Sequence, residues 1–183
     1  RLFGTDGVRG VANKDLTCEL AMKLGRAAAA VLTNKSTRHP RVIIGKDTRL
    51  SSDMLENAMA AGLCSVGASV VLLGVVPTPA VAYLVEKYKA DAGIMISASH
   101  NSYEYNGIKI FSGDGFKLPD DLEERIESLI LGEAPLPAAP ADSDLGTVET
   151  APNALRVYID HAKSTVHFSL DGLEIALDCA NGS

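Results

Sequence analysis

With 183 residues, 46% of them hydrophobic, the chain holds enough apolar material for one full domain and part of another. Its 17 basic against 23 acidic residues, a formal net charge of −6, exclude a broad basic surface for nucleic acid but leave room for a small anion pocket. Cys18, Cys64 and Cys179 are too few and too far apart for a disulfide framework or a metal-binding pair, and no apolar run reaches the roughly 18 residues of a membrane span. A reducing, cytoplasmic setting with no membrane partner is expected. The chain starts at Arg1 without a methionine and stops at Ser183 just after an apolar run, so both ends are expected to be cuts.

In chain order, "FGTDGVRG" at 3–10 comes first. Its three glycines let the backbone approach an anion while Arg9 delivers a charge, although a glycine-rich start is also simply a flexible turn. It is neither a P-loop nor a Gly-x-Gly-x-x-Gly fingerprint. Leu20, Leu24, Ala27, Ala28, Val31 and Leu32 recur at helical spacing, with Thr17 as N-cap and Glu19 near the positive end, which predicts a helix over about 17–33. "RVIIG" at 41–45 reads as a strand, followed by a polar loop with Asp47, Thr48 and Arg49 and a helix through Leu55, Met59 and Leu63. The strand, loop, helix order returns at "SVVLL", 69–73, with Pro77-Thr78-Pro79 before a helix through Ala80 and Leu84. It starts a third time at "AGIMI", 92–96, but the polar loop 97–107 leads into a strand at 108–111 and a Gly113-Asp114-Gly115 turn. Pro119 then opens an acidic-fronted helix.

Alternating strands and helices predict a three-layer α/β/α domain with a mostly parallel mixed sheet, the last strand antiparallel at the edge. This first domain is expected to span residues 1–150, ending in a proline-rich linker or crossing segment at 132–152. Beyond it, a helix around Leu155, Tyr158 and Ile159 and a strand at "LEIALD" are too little to bury their own faces. Residues 151–183 are therefore expected to begin a second, truncated α/β domain.

The loops 46–49, 74–79 and 97–107 all leave the carboxyl ends of their strands, the edge where open α/β sheets bind ligands. Ser99 sits there between a buried strand and a loop. As a hydrolase nucleophile it lacks the Gly-x-Ser-x-Gly elbow, since Ser97 and Asn101 stand where the glycines belong. As a turn residue it would satisfy loop backbone groups. A third reading rests on Arg9, Lys46, Arg49, His100 and Lys109, cations gathered at one sheet edge of an acidic protein. A hydroxyl beside such charges suits phosphoryl transfer. Lys109 is either a solvated edge-strand charge or, facing the loop, a group that passes a proton. His100 is not expected to activate Ser99, because neighbours on an extended chain point to opposite faces.

Taken together, "ISASHNSYEYNGIKIF", "FGTDGVRG", "IGKDTRLSS", "PTPAVAYL", "DGFKLP" and "LDCANG" resemble the amino-terminal part of the α-D-phosphohexomutases, and within them the branch acting on glucosamine phosphates. The resemblance covers all of the chain but the linker. It implies that Ser99 carries the transferable phosphate and, through it, helps hold Mg²⁺. It further implies that Lys109 is the general acid/base, that Arg9 and His100 contact the phosphoserine or the substrate, and that Lys46, Arg49 and Asn101 join the phosphate-binding set. The implied reaction interconverts glucosamine 6-phosphate and glucosamine 1-phosphate through a 1,6-bisphosphate, with a glucose or glucosamine 1,6-bisphosphate as primer. A homodimer is the assembly allowed for. Ser102 departs from the family, which has proline there, and so leaves φ unfixed in the loop. The family's aspartate-rich metal loop and sugar-reading loop have no counterpart within 1–183, so this chain alone is expected to be catalytically incomplete. The alternatives are a phosphomannomutase or phosphoglucomutase, or a non-catalytic module with an exposed apolar face.

Overall fold

The computed structural model describes residues 2–4, 7–33, 39–136 and 138–182, with the side chains of Leu32 and Thr33 outside the description. Thr5 and Asp6 of the glycine-rich opening also lie outside it. Among the described residues the elements run β1 (Val8–Val11), α1 (Cys18–Thr33), β2 (Arg41–Lys46), α2 (Ser52–Cys64), β3 (Ser69–Val75), α3 (Thr78–Lys87), β4 (Ala92–Ile96), β5 (Tyr105–Ser112), α4 (Asp120–Leu131), β6 (Val148–Thr150) and α5 (Ala154–Ser164). The strands form one sheet in the order β1-β5-β4-β2-β3-β6. β5 pairs antiparallel with β1 and β4, while the β4/β2, β2/β3 and β3/β6 pairs are parallel. The expected mixed, mostly parallel α/β/α architecture is therefore the one observed.

Period-two alternation sorts the strand residues into two cores. Val42, Ile44, Ile94, Ile96, Ile108 and Ile110 face one side, where they meet Leu24 and Ala28 of α1, Leu55 and Met59 of α2 and Ile126 of α4. Ile43, Val71, Leu73 and Met95 face the other, against Ala80, Val81, Leu84 and Val85 of α3. The central strands are apolar on both faces for that reason, as parallel strands covered twice must be. The predicted cap of α1 is present: Thr17 Oγ1 accepts the Leu20 N–H at 3.2 Å.

Four expectations change. β5 is not the edge strand, because the glycine-rich opening supplies β1 and covers it, with Arg9 opposite Gly107. β5 is also longer than 108–111, reaching back to Tyr105. Gly7, at φ 86°, makes that entry feasible: a Cβ there would lie 2.3 Å from the Ile108 carbonyl oxygen. The segment 132–152 is more than a linker, since Val148–Thr150 adds the sixth strand beside β3. "LEIALD", residues 173–178, forms no strand; the chain there is exposed and makes no ladder with another strand. By contrast α5 is anchored, with Ala154 buried against α3 and His161 stacked on Tyr83 at 3.8 Å between ring centroids.

Candidate functional site

A cleft of about 1110 Å³ opens beyond the carboxyl ends of β2, β3 and β4. Its walls come from the three loops singled out in the sequence: Asp47 to Leu50, Pro77 to Pro79, and Ser97 with Ser99 to Tyr103. Residues 179–182 pass across it, and Thr48 Oγ1 donates to the Asn181 carbonyl at 2.6 Å. The cleft lies where β4 gives way to the loop. Ser97 N–H still bonds to the Gly107 carbonyl at 2.9 Å, and Asp47 N–H to the Ile96 carbonyl at 3.0 Å, so the loop leaves from a rigid base.

Ser99 is exposed and has φ 57°, a left-handed conformation uncommon for a residue with a side chain. Its N–H is held by Ser97 Oγ at 3.0 Å. The left-handed turn also changes the geometry expected around His100. The chain is not extended there, and Ser99 Oγ comes within 3.4 Å of His100 Nδ1, both groups exposed to the cleft. Asn101 is half-buried on the same wall.

The five expected cations do not act alike. Arg9 stands opposite Gly107 on β1, and Lys109 follows two residues along β5, so both side chains leave the sheet on the face that carries α3. Gly107 is small because of this arrangement: a Cβ would meet the Ser97 carbonyl oxygen at 2.7 Å and Arg9 Cγ at 2.9 Å. Arg9 thus lies over β5 next to the residue from which the Ser99 loop departs.

Lys46 and Arg49, expected in the phosphate-binding set, are both engaged by groups of the protein, Lys46 by α2 and Arg49, on the cleft wall, by the Ser99 loop. Lys46 Nζ bonds to Glu56 and, at 2.7 Å, to Asp53, both on α2. Burial works against the Lys46 charge, but the bonds to Asp53 and Glu56 outweigh it and raise its pKa. Glu56 is buried and its Oε1 has no hydrogen-bond partner, so its charge depends on Lys46. Lys46→Met is expected to destabilise the fold by about 2–4 kcal/mol in urea unfolding, since it strands a buried carboxylate. Because the folded pKa is raised, the pair's contribution is complete below the ordinary lysine value of about 10.4 and disappears as pH rises through the higher folded value. A urea midpoint series from pH 8 to 11.5 checks this: the wild-type advantage over the variant should hold to about pH 10 and shrink above it.

Arg49 is 11% exposed and makes a fork toward the loop. Nη1 donates to the Ser102 carbonyl at 2.6 Å and the Tyr105 carbonyl at 3.0 Å; Nη2 donates to the Ser99 carbonyl at 3.0 Å and the Asn101 carbonyl at 2.7 Å. Nε donates to Asp47 Oδ2 at 2.9 Å. Behind it runs a buried polar chain that sequence inspection did not assemble: Ser52 Oγ donates to Asp47 Oδ1 at 2.9 Å, and Asn106 Nδ2 donates to Ser52 Oγ at 3.1 Å and Ser51 Oγ at 2.9 Å. The signal for it was Asp47 just after β2, Ser51 and Ser52 at the start of α2 and Asn106 near the start of β5, polar residues beside apolar runs whose side chains need partners once buried. Asp47 is the acidic residue among those lining the cleft, and it is committed to Arg49 and Ser52. Among the described residues no group of three or more His, Cys, Asp or Glu is placed to hold a metal ion, so the residues around Ser99 do not by themselves fit the Mg²⁺ expected from the resemblance.

The exposed Ser99 in its left-handed turn stands in a cleft at the carboxyl edge of a mixed α/β/α sheet, the place where open α/β domains bind ligands. Residues 1–135 match the family model described as phosphoglucomutase/phosphomannomutase, alpha/beta/alpha domain I, and the chain belongs to this family. Over all 183 residues it is 57% identical to the phosphoglucosamine mutase of Clostridium novyi (strain NT) and 57% identical to that of Thermoanaerobacter sp. (strain X514). It spans 40% of the length of each of these relatives. Among solved structures, a phosphoglucomutase/phosphomannomutase family protein from Burkholderia thailandensis superposes with a TM-score of 0.73 at 26% identity, covering 87% of this chain and 34% of that one. No helix among the described residues is long and apolar enough to cross a membrane.

Proposed function

We propose that this chain is the part of a glucosamine-phosphate mutase that carries the transferable phosphate, with Ser99 as the phosphorylated residue. The single observation that bears most weight is Ser99 itself: exposed, held at φ 57°, and facing a cleft large enough for a hexose bisphosphate. The 57% identity to proteins named phosphoglucosamine mutase favours glucosamine over other hexoses.

In the proposed reaction a sugar hydroxyl attacks phosphorus, the new P–O bond to the sugar forms as the bond to Ser99 Oγ breaks, and a 1,6-bisphosphate results. Return of the other phosphate to Ser99 Oγ releases the isomer. Lys109 takes the proton from the attacking hydroxyl and gives it back to the leaving one. Arg9 and His100 offset the charge on the transferring oxygens, and Asn101 contributes from the loop wall. Lys46 and Arg49 have no part in binding phosphate, since carboxylates and carbonyls already occupy them. Magnesium would neutralise phosphate charge, held through the phosphate on Ser99 and by ligands outside these 183 residues. The first domain would end near residue 150, with 151–183 leading into a second; a cytoplasmic location, a bisphosphate primer and a homodimer belong to the same proposal.

The test is turnover of glucosamine 6-phosphate by a protein of the relatives' full length, with Mg²⁺ and a sugar bisphosphate, beside the 183-residue chain alone. The longer protein should turn over and the short chain should not. Equal rates would overturn the claim that the short chain is incomplete. Preference for glucose or mannose phosphate in competition would overturn the glucosamine assignment, and an inert longer protein would leave the non-catalytic reading standing.

A further inference from the structure

We infer that Arg49 is a positioning residue which builds the Ser99 loop into its reactive shape before any phosphate arrives; the inference rests on the proposal that Ser99 accepts a phosphate. Four carbonyls, of Ser99, Asn101, Ser102 and Tyr105, converge on one guanidinium, and Asp47 neutralises its charge from behind. A planar fork with five fixed donors can satisfy such a set, whereas the compact ammonium of a lysine cannot. The bonds end on backbone oxygens on both sides of the loop's exposed tip, so they define its path whatever side chains it bears. Ser97 completes the frame by holding the Ser99 N–H. Together they keep Ser99 in its left-handed turn, from which its hydroxyl faces the cleft and His100. The frame also reaches position 102, where no proline ring restrains the chain. Serine leaves φ free there, and the tie of the Ser102 carbonyl to Arg49 at 2.6 Å constrains the backbone from outside.

Placing Arg49 under the loop rather than on the substrate predicts an unusual substitution pattern. A phosphate contact would tolerate Arg49→Lys better than Arg49→Ala, because charge is retained. A loop frame would lose nearly as much with lysine as with alanine. In a protein of the relatives' full length, both variants are expected to lower kcat by about 100-fold, the scale of a misplacement near 1 Å, with KM changed less than threefold. Hydrogen exchange at the amides of Ser99, Asn101 and Tyr105 should quicken at least tenfold in both, while exchange in β2 and β4 stays slow. Ser97→Ala, a change of one buried hydroxyl, should show the same pattern more weakly, near tenfold in kcat, and serves if Arg49 variants do not fold. Arg49→Lys with near wild-type kcat, a rise confined to KM, or Ser97→Ala with unaltered loop exchange would each overturn the inference. If wild-type Ser99 takes up no phosphate from the bisphosphate, the proposed function fails instead, and the exchange measurements still decide what Arg49 does.

Discussion

Ser99→Ala is expected to lower sugar-phosphate isomerisation by at least about 10⁴-fold in a protein of the relatives' full length, the scale seen when a covalent catalyst loses its nucleophile. The reason is stoichiometric rather than structural. In the proposed reaction the hydroxyl oxygen is the atom to which phosphorus is bonded between half-reactions, and alanine offers none. Little else should change, because Ser99 is exposed and its Oγ contact, to His100 Nδ1 at 3.4 Å, is at the long end of a hydrogen bond. The same backbone bonds to Ser97 and Arg49 hold the loop in the variant. Alanine at φ 57° costs about 1 kcal/mol, much as serine does. Intact mass after incubation with the sugar bisphosphate checks the assignment: the wild type should gain one phosphate and the variant none. A phosphate on the variant would move the acceptor to another residue.

Lys109→Ala is expected to be slowed by about 10²–10⁴-fold while still gaining the phosphate during long incubation, the range over which a positioned acid or base contributes. Lys109 is carried by backbone that is firmly held. It lies in a strand held on both sides, paired with Met95 of β4 and one pleat beyond the Arg9–Gly107 pair, so its ammonium is carried by a rigid element rather than a loop. Lys109→Arg separates the two jobs a cation can do here. Arginine preserves the charge but does not release its proton near neutral pH. If proton transfer is the role, arginine should be nearly as slow as alanine. If only charge matters, arginine should recover most of the rate, and the acid/base assignment would be lost.

Much of this architecture was legible in the residues. The 3.6-residue spacing through Leu20, Leu24, Ala27 and Val31 marks α1, and Thr17 caps it as the type and position of that residue predict. "RVIIG" and "AGIMI" read as strands apolar on both faces, and the polar residues after each of them line the cleft. The edge strands were harder to see. Val8–Val11 contains a glycine and an arginine, Val148–Thr150 is three residues long, and neither shows a hydrophobic period, because an edge strand takes much of its stability from the neighbour it pairs with. "LEIALD" shows the converse: strand-like composition forms no strand where the described residues offer no partner.

From sequence alone came the α/β alternation, the sheet edge at which the polar loops gather, and Ser99 at the end of an apolar strand, since these depend on local period and on neighbours a few residues away. Which partners Lys46, Arg49 and His100 meet was decided only by the fold. Lys46 meets carboxylates one helix further on, Arg49 meets carbonyls 50 to 56 residues away, and the approach of His100 to Ser99 depends on a single positive φ. Charge is a property of the residue, but its partner is a property of the packing.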